Sequence, residues 1–224
     1  MKKLLLLLMT FALTQAVIAQ PNSFTKAGDS DPKAKAILDK IKQKYEAYQT
    51  IEASFTIEME FGESVSEVQK GTIARKGDQY HLSMGTQEVI SDSKSLWLIM
   101  HNNKSVQINT VPDEEDESLL TPQSLFNFYE KGSFVYAITN ETAEGGRTVQ
   151  EIEFKPLDKE SDYSKLRLTV DKKTTDIVRI QAFGKDGSRY TFKIANMNPN
   201  KTFPAGYFTF DKSDYDGYYV EDLR

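Results

Sequence analysis

Residues 51–61 read IEASFTIEMEF, and this stretch decides the fold. Ile51, Ala53, Phe55, Ile57, Met59 and Phe61 alternate with Glu52, Ser54, Thr56, Glu58 and Glu60. A period of two held this long is a strand with one apolar and one wet face. Upstream the period is helical. Asp31 is a good N-cap and Pro32 a good first helical residue. Ile37, Leu38, Ile41, Tyr45 and Tyr48 then recur on one face, and lysines fill the other, so an amphipathic helix is expected over 32–49. Downstream, strands are expected over 67–76, 79–84, 86–91, 95–101 and 105–110, separated by Gly77-Asp78, Gly85, Asp92-Ser93 and Asn102-Asn103. Asp113 to Glu117 is acidic but lacks the spacing and glycine of a calcium loop, and reads as solvated. Thr121-Pro122 opens a second helix that ends near Gly132. Strands return over 134–142, 148–155, 164–171, 176–183 and 188–196. With about eleven strands and no βαβ alternation, the expectation is mainly β: a curved antiparallel sheet, or incomplete barrel, with helices on its concave side.

Composition bounds the function. The chain has 224 residues, 27% of them charged and 39% hydrophobic, which suits one packed domain, here 31–224 behind a flexible lead at 20–30. Residues 1–19 read as an export signal. Lys2 and Lys3 precede the apolar run Leu4 to Ala16, which is shorter than the ~20 residues of a membrane span, and cleavage is expected after Ala19. Removing Lys2 and Lys3 takes the net charge from −5 to −7, with no basic block for nucleic acid. The absence of cysteine excludes disulfides, thiolate metal sites, cysteine nucleophiles and a lipidated N-terminal cysteine. Two histidines, His81 and His101, are too few for a multi-histidine metal centre and read as surface or rim residues. Serine-hydrolase, zinc-protease, P-loop and dinucleotide motifs are missing from the sequence, which gives no sign of catalysis or of a cofactor.

The second helix is unusually apolar. Leu125, Phe128 and Tyr129 share a face, with Leu119, Leu120 and Phe126 nearby. Two readings stand: a core helix that plugs the sheet, or a lid over an apolar cavity. The cavity's other walls would be Phe55, Ile57, Met59, Ile73, Leu96, Leu98, Met100, Ile152, Phe154, Leu168 and Phe192. Methionine and phenylalanine adapt in shape and suit flexible chains as well as an ordinary core.

Four segments, in order along the chain, resemble the LolA family of periplasmic outer-membrane lipoprotein carriers. They are ASFT (Ala53 to Thr56), ISDSKSLW (Ile90 to Trp97), LTPQSL (Leu120 to Leu125) and FTFD (Phe208 to Asp211), the last followed by VEDLR (Val220 to Arg224). Ser93 stands where the family usually has glycine. The resemblance implies an unclosed antiparallel barrel with a helical lid and an apolar cavity that shields acyl chains. It implies a soluble periplasmic monomer, without catalysis or cofactor. Such a carrier takes lipoproteins from an inner-membrane ABC complex and delivers them to an outer-membrane acceptor. A binder of another lipid, a lipoprotein sensor and an enzyme on the same scaffold are the other readings. The family also holds its lid with an arginine that precedes a proline at the end of the second strand. Here that segment is GTIARKGDQY (Gly71 to Tyr80), without proline. Arg75, by parity with Ile73, and Lys76, by its place before the turn, are the two latch candidates.

Overall fold

The computed structural model describes residues 26–62, 66–111 and 128–224. They form one α-helix, α1 (Pro32–Glu46), and twelve strands. The strands are β1 (Thr50–Phe61), β2 (Glu67–Lys76), β3 (Gln79–Met84), β4 (Gln87–Ser91), β5 (Ser95–Met100), β6 (Ser105–Thr110), β7 (Phe134–Glu144), β8 (Arg147–Pro156), β9 (Tyr163–Asp171), β10 (Ile177–Gly184), β11 (Ser188–Pro199) and β12 (Tyr219–Asp222). They make a single sheet in the order β12-β6-β5-β4-β3-β2-β1-β11-β10-β9-β8-β7. Neighbours are antiparallel except for β12, which runs parallel to β6. The edge strands β7 and β12 do not pair with each other, so the barrel is unclosed.

α1 forms because Asp31 caps it: its Oδ1 accepts from the Lys33 backbone N–H at 2.8 Å, and Pro32 needs no donor there. The Asp31 backbone N–H also donates to the Tyr136 carbonyl on β7 at 2.8 Å, which ties the helix start to the sheet edge. Ala34, Leu38, Ile41 and Tyr45 face inward and are buried. They pack on Ile152, Phe154, Leu166, Leu168 and Val170, with Tyr129 and Tyr136 closing one side. Burial of Leu38 and Ile41 is worth about 1.5–3 kcal/mol each. The face of the sheet that carries α1 is called inner here. The helix stops at Glu46 rather than at residue 49. Ala47 and Tyr48 close a turn, and the Gln49 backbone N–H bonds Asn200 Oδ1 at 3.0 Å as the chain enters β1.

The outer face has two coverings. Over β8 to β10 it is polar: Arg179 chelates Glu144 at 2.7 and 2.8 Å, and Arg167 meets Glu153 at 2.6 Å. Over β4 to β6 it is apolar, and Ile90, Trp97, Ile99 and Val106 form a second core. Phe210, Tyr215, Tyr218 and Val220, from the segment after β11, cover that core. The only tryptophan, Trp97, lies parallel to Phe210 with ring centroids 6.1 Å apart. β12 ends this segment. Sequence reading missed it because four residues are too few to set a period of two. Of the expected second helix, the described part is a 3₁₀ turn over Phe128–Lys131; residues 112–127, with Leu125, lie outside the described residues.

Candidate functional site

Strand register places the expected cavity residues. Phe55, Ile57 and Met59 share the face of Ile51, which packs under α1. Ile73 pairs with Ala53, Leu82 with Ile73, Val89 with Leu82, and Leu98 with Val89. Leu96 and Met100 lie on that side by the same parity. Phe192 pairs with Ile57, and Leu168 and Ile152 pair with each other. All eleven strand residues on the expected list therefore project to the inner face. The row from Ala53 to Leu98 crosses five strands, about 19 Å at the ~4.8 Å spacing of a sheet.

Packing splits that list. Ile152, Phe154 and Leu168 are fully engaged with α1, as is Tyr129, whose hydroxyl donates to Asp39 at 3.1 Å. These residues are core. Phe55 is buried too, with its ring 4.8 Å from that of Phe192. The Phe55 ring lies across Gly71, where an added Cβ would come within 2.6 Å of its Cζ. Ile57, Met59, Ile73, Leu96, Leu98 and Met100 are only half-buried and are not part of the core under α1. Leu82, Met84 and Val89 join them. Sequence reading placed these three in strands but not at the site, and pairing the strands would have found them. The result is an apolar inner strip over β1 to β5, beside the half of the sheet that α1 covers.

The latch candidates fall on opposite faces. Arg75 pairs with Ile51 and Tyr80 and points inward, where its Nη2 donates to the Tyr45 carbonyl at 3.2 Å. That carbonyl lies in the last turn of α1, where carbonyls lack helical partners and the dipole favours a cation. Burial lowers the Arg75 pKa, and the carboxylates of Asp78 and Glu46 oppose the shift. Tyr45 holds the same turn from the other side: its hydroxyl accepts from the Ile177 backbone N–H at 3.2 Å, and burial pushes its pKa up to about 12. Lys76 pairs with Thr50 and Gln79 on the outer face and is exposed. It lines an open cleft of about 340 Å³ with Gln79, Lys201, Phe203 and Tyr207, on the side of the sheet away from the apolar strip.

Neither histidine is a bare surface or rim residue. His81 Nε2 lies 3.1 Å from Glu88 Oε2 and His101 Nε2 lies 2.8 Å from Glu88 Oε1, on the outer face. The β3–β4 and β4–β5 hairpins bring the three together, which spacing alone does not reveal. Among the described residues no group of three or more histidine, aspartate and glutamate side chains is arranged to hold a metal ion. No described helix is long and apolar enough to cross a membrane.

The family described as outer membrane lipoprotein carrier protein LolA matches residues 46–211. Among solved structures, an uncharacterized conserved protein from Thermus thermophilus superposes with a TM-score of 0.56 at 9% identity, covering 85% of this chain and 99% of that one. A LolA superfamily protein from Nitrosomonas europaea superposes with a TM-score of 0.45 at 14% identity, covering 80% and 98%. The MucA/MucB complex of Pseudomonas aeruginosa gives 0.42 at 11%, covering 80% and 62%. At 9% identity the Thermus structure speaks for the fold alone, and the other two carry no argument. No curated protein matches by sequence. The family match runs from the last turn of α1 through every strand from β1 to β11, and the chain belongs to the LolA family.

Proposed function

We propose that this protein is a periplasmic carrier that shields the acyl chains of lipoproteins against its inner face and shuttles them from the inner to the outer membrane. The observation that carries the reading is the apolar row Ala53, Ile73, Leu82, Val89 and Leu98, half-buried beyond Ala53, continuous across β1 to β5 and separate from the core under α1. Family membership supports the cargo class. The donor would be an inner-membrane ABC complex, the recipient an outer-membrane acceptor, and residues 1–19 the export signal. Acyl burial is worth about 0.8 kcal/mol per CH₂, so release needs an opposing term. In this reading closure over the empty strip supplies it, and the Arg75 bond to the last turn of α1 favours the closed state.

The test is mass spectrometry of lipid co-purifying with the native protein, together with Leu98→Glu. Leu98 is half-buried at the β5 end of the row, so a carboxylate there is tolerated by the fold but faces the acyl chains. A folded Leu98→Glu protein should lose binding of a long-chain acyl probe by tenfold or more. Unchanged binding would remove the inner strip as the site. Recovery of a non-acylated lipid would favour a carrier of another lipid.

A further inference from the structure

The segment after β11 touches the rest of the molecule on the outer face, in a core separate from the one under α1. Besides the β12–β6 pairing and the Arg224 bond to Ser95 Oγ at 3.2 Å, its tyrosines gather around one carboxylate of the sheet. Tyr215 donates its hydroxyl to Glu88 Oε2 at 3.2 Å. Tyr218 shares a hydrogen bond with His101 Nδ1 at 2.8 Å, and the other nitrogen of that ring meets Glu88 Oε1. His81, also on Glu88, lies under the Tyr207 ring with centroids 5.1 Å apart. Both histidines of the chain thus meet one glutamate beneath three tyrosines of the same segment.

We infer that residues 207–222 form a strap fastened by ionised Glu88, and that loss of that charge at low pH releases the strap as a unit while the core under α1 stays closed. An ionised carboxylate only accepts hydrogen bonds, and here three donors converge on it: His81 Nε2–H, His101 Nε2–H and Tyr215 O–H. A proton on Glu88 places a fourth hydrogen among them, and one donor must leave. The strap is the element free to move, because His81 and His101 sit on the sheet. The groups that face Glu88 are His81 and His101 from the sheet and Tyr215 from the strap, with Tyr218 on His101 and Tyr207 on His81; Asp214 lies close behind Tyr215. Burial, the largest single influence, raises the Glu88 pKa, but the hydrogen bonds and charge interactions of His101 and His81 together outweigh it and the net shift is downward. A carboxylate lowered by folding stabilises the fold above its unfolded pKa of 4.5 and loses that stabilisation as pH falls through the lower folded value.

Hydrogen exchange of the full mature chain tests this, read as protection factors so that intrinsic rates cancel. From pH 7 to pH 3 the strap amides of Tyr218 and Tyr219, bonded to the Tyr215 and Lys104 carbonyls, should lose protection while α1 keeps it. In Glu88→Gln the strap should already be about tenfold or more less protected at pH 7, with no further selective loss at pH 3. Tyr215→Phe, which keeps the ring and removes one donor, should give a smaller loss in the same direction. Wild-type strap protection in both variants would overturn the inference. So would simultaneous loss of strap and α1 on acidification of the wild type.

Discussion

Ser93 adopts φ 80°, in the left-handed region that glycine occupies without strain. It turns the chain between β4 and β5, where Asp92 Oδ1 accepts from the backbone N–H groups of Lys94 and Ser95 at 2.9 and 2.7 Å. The family's usual residue there is glycine, and the backbone explains why. A left-handed non-glycine residue costs about 1–2 kcal/mol, while glycine adds about 0.5–1 kcal/mol of unfolded-chain entropy. Ser93→Gly should therefore raise stability by up to about 1 kcal/mol, read as a higher urea midpoint at unchanged slope. Arg75 is a residue whose face was legible from parity with Ile73, whereas its partner was not. Which carbonyl it meets depends on where α1 ends over the sheet. Arg75→Leu should weaken the closed state by about 1.5–3 kcal/mol. Under the carrier reading it should still load an acyl probe but fail to hand it to an acceptor membrane extract, whereas Lys76→Leu, altered on the outer face, should transfer normally.

At the scale of elements, alternation was a good guide because the strands are long and wet on one side. β2, β3 and β6 match the expected spans to the residue. β11 runs on to Pro199, past the end expected from its pattern, because its last residues pair with Ile51 to Ser54. α1 was legible from its 3.6-residue period and its cap, but the period says only which face is apolar. That its body covers β7 to β10, with only its last turn reaching Ile51 and Arg75, follows from tertiary ties: Asp31 to Tyr136, Tyr45 to Ile177, and Lys44 to Asp176 at 2.5 Å. The inward position of Leu38 makes α1 a structural element of that half. Leu38→Ala, at a site 3% exposed, should cost about 2–5 kcal/mol in chemical denaturation. The same change should leave the affinity of the folded protein for acyl probes near that of the wild type, because Leu38 is not on the strip.

The whole molecule is one sheet with different duties on its two faces, and its methionines sample the division. Outside residues 1–19 there are four: Met59, Met84, Met100 and Met197. The first three project from the inner face of β1, β3 and β5, whereas Met197 packs against the core under α1. A chain without residues 1–19, labelled at the methionine methyl carbons, should give four resonances. Titration with an acyl probe should shift those of Met59, Met84 and Met100 and leave that of Met197 in place. Movement of Met197 alone would put the ligand under the helix and against the strip. The sequence carried the two faces, since parity is local, but not their coverings. Glu88, His81 and His101 come together through hairpin register, and the second core forms only when residues far beyond β6 return to it.

That return has a practical meaning for anyone who follows the protein by light. Its single indole, Trp97, is 9% exposed and stacked on Phe210, on the opposite side of the sheet from the apolar strip. Under the carrier reading, cargo entering the inner face leaves that ring's surroundings intact, so intrinsic emission is a poor gauge of loading. It is instead a natural beacon for the C-terminal segment. A red shift on acidification, without a change in helical circular dichroism, is the optical signature of Phe210 lifting away.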